Sequence, residues 1–168
     1  MDVQHFLESW LVNDMYPDQK PEMIFAFPPC TNTAVSGARW FKEKGPRAAA
    51  LSFRILADCL DIIEKFEDVP YMVENPVSTY STYWRKPDHI FNPCDYGGYL
   101  DPPGDAYTKK TCLWVGNGFV MPPTKPVEPV EGSKMHLLPP TEDRAMKRSV
   151  APAGFANAVF EFNEKRGT

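Results

Sequence analysis

Apolar residues recur at helical spacing in the first stretch of the chain, where Val3, Phe6, Leu7, Trp10 and Leu11 share one face; Pro17 and Pro21 end that pattern. Met23 to Phe27 (MIFAF) is a short continuous apolar run bounded by prolines. It reads as a buried strand, although periodicity alone leaves a helix open. Gly45-Pro46 opens a long helix, because proline suits a first turn. Leu51, Ile55, Leu56, Cys59, Leu60, Ile63 and Phe66 keep the helical period after it. Tyr71 to Val73 predicts a second strand, followed at once by Glu74-Asn75-Pro76, and Thr111 to Val115 predicts a third, closed by Gly116. Pro152 and Gly154 introduce a last helix with Phe155, Ala158, Val159 and Phe162 on one side. This order of strands and helices predicts an α/β chain with a mostly parallel sheet.

The length of 168 residues fits one domain with a sizeable core, and neither an internal repeat nor a second domain is visible. Most of the 18 prolines fall in the second half, which predicts irregular connections there, with residues 119–149 as a short proline-rich connection. No apolar run is long enough to cross a bilayer, and the start MDVQHFLESW lacks the basic region of a signal peptide. A cytoplasmic protein without a membrane partner is therefore expected. The net charge of −4, from 18 Lys+Arg against 22 Asp+Glu, gives no support to a grip on duplex DNA dominated by phosphate contacts. Arg144, Lys147 and Arg148 form a local basic stretch that reads equally well as a phosphate contact or a solvated loop.

The four cysteines are Cys30, Cys59, Cys94 and Cys112. None forms a C-x-x-C pair and no histidine stands at zinc-ligand spacing from two of them, so free thiols and no metal are expected. Cys59 falls on an apolar helix face, Cys112 inside a strand and Cys94 in a loop. Cys30 differs. Pro28-Pro29-Cys30-Thr31 stands just past the carboxyl end of the first predicted strand, the edge where open α/β sheets place their sites. Glu74 ends the second strand in the same way and should emerge beside it, with Pro76 forcing an extended turn; a carboxylate there also reads as a helix cap.

FAFPPCTNTAVSG resembles the Pro-Cys motif of the DNA cytosine-C5 methyltransferases, and VENP resembles their Glu-Asn motif. YTKKTCLWVG is similar to the next segment of that family, and RSVAPAGFANAVFEF to its closing segment. Order and approximate spacing agree over roughly Met23 to Asn163, and the Ser36 to Phe41 stretch is similar to the short, phage-associated branch. The resemblance implies a partial Rossmann-like, class I methyltransferase-like sheet with flanking helices and a single catalytic domain over residues 1–168. It also implies a mechanism. A cytosine is flipped into a pocket, Cys30 adds to C6 as a thiolate, and Glu74 hydrogen-bonds the ring N3 and the exocyclic amine. C5 then takes a methyl group from S-adenosylmethionine. Pro29, Asn75, Lys109, Lys110 and Thr111 would support the substrate, and Asp2, Pro28 and Asn157 would contact the methyl donor. DNA or a cytosine nucleotide in a bacterial or phage-infected cell would be the partner.

Two family features have no counterpart. The glycine-rich turn that receives the donor is missing, since the first glycine is Gly37, and so is the acidic strand end that follows it. By this alignment the chain is amino-terminally truncated, whether as a fragment, an internally initiated product or a natural short protein. Donor binding should then be weak. The first strand would become an open edge, which predicts a homodimer, aggregation, a complementing chain or cover by the Val3 to Leu11 helix. Target recognition has only Phe119 to Ser149 to work with. Alternative readings are an inactive remnant that binds nucleic acid or a protein, and an enzyme of free cytosine nucleotides.

Overall fold

The computed structural model of the chain describes residues 20–141 and 144–163. The Val3 to Leu11 helix and Asp2 lie outside them. Four strands are present: β1 (Ile24–Ala26), β2 (Tyr71–Pro76), β3 (His89–Phe91) and β4 (Thr111–Gly116). The helices are α1 (Phe41–Lys65), α2 (Tyr80–Tyr83), α3 (Lys134–Leu137), α4 (Arg144–Ser149) and α5 (Ala153–Asn163). Tighter 3-10 turns cover Val35–Trp40 and Pro93–Tyr99.

The fold is mixed α/β with one open sheet in the order β1-β2-β4-β3. β1 and β2 are parallel, with Ile24 beside Tyr71, Phe25 beside Met72 and Ala26 beside Val73. The expectation of a mostly parallel sheet is corrected, because the sheet is mostly antiparallel. A parallel pair needs a long crossover, and among the described residues only the β1–β2 connection carries a long helix. Two further features differ from expectation. β2 continues through Glu74 to Pro76, so Glu74 lies within the strand and not just past it. The proline-rich connection holds two short helices, α3 and α4. Within α1 the long helix opens at Gly45-Pro46 as expected: Gly45 (φ 72°, ψ 179°) is non-helical, a conformation that glycine adopts without a Cβ penalty, and separates a short helical turn before it from the long helix after it.

The chain divides into two compact units, one of residues 1–87 with 113–118 and one of residues 88–112 with 119–168. In the first, α1 buries Ser52, Leu56 and Ile63. Met72 and Val73 of β2 and Leu113 and Trp114 of β4 join this core, each less than 5% exposed. Tyr80 meets Phe53 edge-on at 5.4 Å, and the Trp114 ring lies 5.4 Å from Trp84 while its Nε1 donates to the Arg85 carbonyl at 2.8 Å. Buried indole and phenol rings thus find partners for both their faces and their polar tips.

The second unit packs α5 on the Pro93–Tyr99 turn. Phe155 stacks on Phe91 at 4.2 Å and meets Tyr96 edge-on at 5.0 Å. Gly154 lets the helix approach closely: a Cβ there would sit 2.3 Å from the Tyr96 carbonyl oxygen. Its backbone N–H donates to Asp105 Oδ2 at 2.8 Å. The proline-rich strap is held along the same turn, since Lys125 and Val127 donate to the Asp95 and Cys94 carbonyls and Tyr96 Oη donates to Pro122 O. Asn163 closes the end of α5 by pairing with both the N–H and the carbonyl of Val120.

Candidate active site around Cys30 and Glu74

β1 stops at Ala26 because Pro28 and Pro29 follow, and prolines cannot donate to a ladder. Cys30 then opens a tight turn. Its carbonyl accepts from the backbone N–H of Thr33 at 3.1 Å and of Ala34 at 2.9 Å. The thiol is free and partly exposed.

Extending the β1–β2 register by one residue places Glu74 beside Phe27, and by two places Asn75 beside Pro28. The hydrogen bonds agree with that extension. Asn75 is 1% exposed, and its Nδ2 donates to the Pro28 carbonyl at 2.8 Å. Further along, Ala34 bridges Ser78 in antiparallel fashion, Val35 N–H donates to Val77 O, and Thr79 N–H donates to Thr33 O, both at 2.9 Å. The turn that carries Cys30 and the segment that follows Glu74 are therefore stitched together by backbone and side-chain bonds. Cys30 follows the carboxyl end of β1, and Glu74 stands one residue past Val73, the last residue of β2 paired with β1.

Helix α1 braces this assembly. Asn32 Nδ2 donates to Ser52 Oγ at 3.2 Å, and Tyr80 Oη donates to the Ser52 carbonyl at 3.0 Å. Lys44 Nζ donates to Thr31 O at 2.7 Å. Burial pushes the Tyr80 hydroxyl up to about 12; its bond with Thr33 opposes this, and the charges of Cys59 and Cys30 add to it. Tyr80 is thus a neutral donor across the usual pH range. Two acceptors near the site, Asn75 Oδ1 and Ser78 Oγ, are buried without a hydrogen-bond partner.

Two of the remaining thiols, Cys59 and Cys94, stand in surroundings that suppress ionisation. Burial, then the Asp58 charge, pushes the Cys59 thiol up, and burial, then Asp95, does the same for Cys94. Cys112 is buried in β4. A thiolate is the reactive form, so Cys59 and Cys94 are poor nucleophiles.

The other candidate residues are placed differently. Pro28 is buried and Pro29 exposed, both on the turn ahead of Cys30. Lys109, Lys110 and Thr111 belong to the second unit. Lys109 Nζ donates to the Arg148 carbonyl at 2.8 Å, and Thr111 is fully buried with its hydroxyl on Lys109 O. Lys110 is exposed. Asn157, also in the second unit, donates to Tyr99 O at 3.3 Å. Sequence reasoning missed Ser52, Tyr80, Thr33 and Ser78. Only Ser52 left a signal: it shares the buried stripe of Leu56 and Ile63, a lone hydroxyl on an apolar face. Among the described residues no group of three or more His, Cys, Asp or Glu is placed to hold a metal ion, and no helix is long and apolar enough to cross a membrane.

Comparison of the chain with family models, curated proteins and solved structures finds no match to any of them.

Proposed function

We propose that the chain is a thiol-dependent protein acting on a pyrimidine base, with Cys30 as the nucleophile and Glu74 as its acid partner. More particularly, the motif resemblance makes it the catalytic part of a DNA cytosine-C5 methyltransferase-like protein, in which the β1–α1–β2 unit is the parallel part of a Rossmann-like sheet. One observation carries this reading. The Cys30 turn and the Glu74 strand end are held together at one end of a parallel strand pair by the Asn75 to Pro28 bond and the Ala34–Ser78 bridge.

Cytosine is a weak electrophile at C6. Addition of the Cys30 thiolate there forms a C–S bond and moves the C5–C6 π pair towards C5 and the ring. A hydrogen bond from the Glu74 carboxyl at N3 neutralises the charge that the addition places on the ring. C5 is then nucleophilic. It accepts a proton from water; its original hydrogen then leaves as a proton to water, the C–H pair re-forms the C5–C6 double bond, and the C–S pair departs on sulfur as the Cys30 thiolate. S-adenosylmethionine, when bound, would supply the electrophilic methyl group. The described residues do not fit that donor well: the Pro28 carbonyl is engaged by Asn75, Asn157 is engaged by Tyr99 O, and Asp2 lies outside them.

Release of tritium from C5-tritiated cytosine tests the proposal without requiring the donor. Oligonucleotide, duplex and free cytidine monophosphate are assayed side by side, because a net charge of −4 favours a small substrate over a duplex. Exchange that disappears in Cys30→Ala supports the assignment. No exchange on any substrate, together with no covalent trapping by a 5-fluorocytosine oligonucleotide and S-adenosylmethionine, would overturn it.

A further inference from the structure

Ser52 stands in the buried stripe of α1 with Leu56 and Ile63 and is 2% exposed. A hydroxyl buried on such a face costs stability unless it is bonded, and here it has a partner outside the helix. Its Oγ accepts from Asn32 Nδ2 at 3.2 Å, and Asn32 is two residues past Cys30. Its main-chain carbonyl accepts from Tyr80 Oη at 3.0 Å, and Tyr80 is six residues past Glu74. The Tyr80 ring is held in turn, for it meets Phe53 edge-on at 5.4 Å and Trp114 at 6.4 Å. Thr33, fully buried, completes the connection. Its N–H donates to Cys30 O at 3.1 Å, and its carbonyl accepts from Thr79 N–H at 2.9 Å. The bonds close a ring that runs from the Cys30 turn through Ser52 to the start of α2 and back.

We propose that Ser52 is a positioning residue for the Cys30 thiol, fixing the Cys30 turn and the segment after Glu74 to one point on α1. The proposal rests on the reading of Cys30 as nucleophile and Glu74 as its partner. Ser52 acts through Asn32 and Tyr80, not on the substrate. A thiol that adds to a ring carbon must be aimed from about 3–3.5 Å, and a displacement of ~1 Å can cost about 10²-fold in rate. The strand ladder does not supply that aim, because the β1–β2 pairing ends at Ala26 and Val73 and two prolines follow β1. Helix α1 continues past Ser52 to Lys65 and offers a rigid body for both segments to lean on. Alanine would suit a helix interior better by intrinsic propensity. What it would lack is the acceptor for Asn32.

The test compares the full chain with Ser52→Ala, Asn32→Ala and the double variant. Amide exchange reads the turn, tritium release reads C5 exchange, and iodoacetamide labelling reads the Cys30 thiol. In Ser52→Ala the Thr33 and Ala34 amides, which donate to Cys30 O, should exchange about fivefold faster, the factor that one lost hydrogen bond of ~1 kcal/mol gives. The Met72 and Val73 amides of β2 should keep their rates. The kcat for C5 exchange should fall about 10-fold at unchanged KM, because aim is lost and binding is not. Labelling of Cys30 should stay within about twofold, since a small free reagent needs no aim. Asn32→Ala should reproduce these changes, and the double variant should be no worse than either single one. Unchanged Thr33 and Ala34 rates overturn the proposal. So does an equal acceleration at Met72 and Val73, which would mark general loosening, or a fall in C5 exchange matched by an equal fall in Cys30 labelling. A wild-type chain without C5 exchange overturns the functional reading, and with it the catalytic use of this link, whereas the amide rates report the link itself in either case.

Discussion

The Asn75 side-chain amide reaches across from β2 to the Pro28 carbonyl, 2.8 Å away, two residues before Cys30. A carbonyl next to a proline-proline turn has no ladder partner of its own, and this bond supplies one inside the protein. It ties the residue after Glu74 to the residue two before Cys30.

Removing that tie should affect both stability and chemistry. Asn75→Ala strands the buried Pro28 carbonyl, and the expected cost is about 1–2 kcal/mol, since the already unpartnered Oδ1 goes at the same time. Chemical denaturation measures it. C5 exchange on the folded variant should fall further than the small unfolded fraction explains.

Substitutions at the thiols separate chemistry from packing. Cys30→Ser should abolish C5 exchange, whereas Cys59→Ser should keep most of it, because burial and Asp58 already hold that thiol protonated. Glu74→Gln keeps the shape but loses the proposed proton donor, and on that proposal a fall of about 10²–10⁴-fold is expected. Equal loss from Cys30→Ser and Cys59→Ser would mark a folding defect.

Alkaline titration has a defined sign. Burial leads in pushing the Tyr80, Tyr96 and Tyr107 hydroxyls up to about 12, against about 10 in an unfolded chain. A group whose folded pKa is raised favours the fold while it is protonated. Their contribution is therefore intact below pH ~10 and is lost as pH rises from about 10 through 12. Phenolate absorbance and circular dichroism followed together should show these three ionising with unfolding and not before it.

Glycine positions give a paired packing test. Gly154→Ala drives a Cβ against the Tyr96 backbone, which cannot give way as a side chain tip would, and should cost about 1–3 kcal/mol or more. A Cβ at Gly37 meets nothing within 4 Å, so Gly37→Ala should change stability by less than about 0.5 kcal/mol. Thermal melts of the two variants check the contrast.

Particular residues show how far the sequence could be read. MIFAF, YMV and TCLWV stood out because each is an unbroken apolar run closed by proline, glycine or a polar turn. β3 did not: it is three residues long and Ile90 is 60% exposed, so it left no buried pattern. Strand direction was misjudged because apolar periodicity carries no information about which way a neighbour runs. The rule that sites gather at carboxyl strand ends suggested Cys30 and Glu74 as a pair, and the register brings their two segments side by side. The bond that ties those two segments, from Asn75 to Pro28, links residues 47 apart, and no local signal announces it.

The route of the chain through its two units has a consequence for modularity. Residues 113–118 return to the first unit after an excursion through residues 88–112. Trp114, whose ring packs on Tyr80 and Trp84, comes with that return. A break after Pro87 would keep Cys30 and Glu74 yet remove the indole that completes their core, and a break after Gly118 would leave the second unit without its strand β3. Neither unit can be passed on, exchanged or expressed as one uninterrupted stretch, so recombination would have to move the pair together.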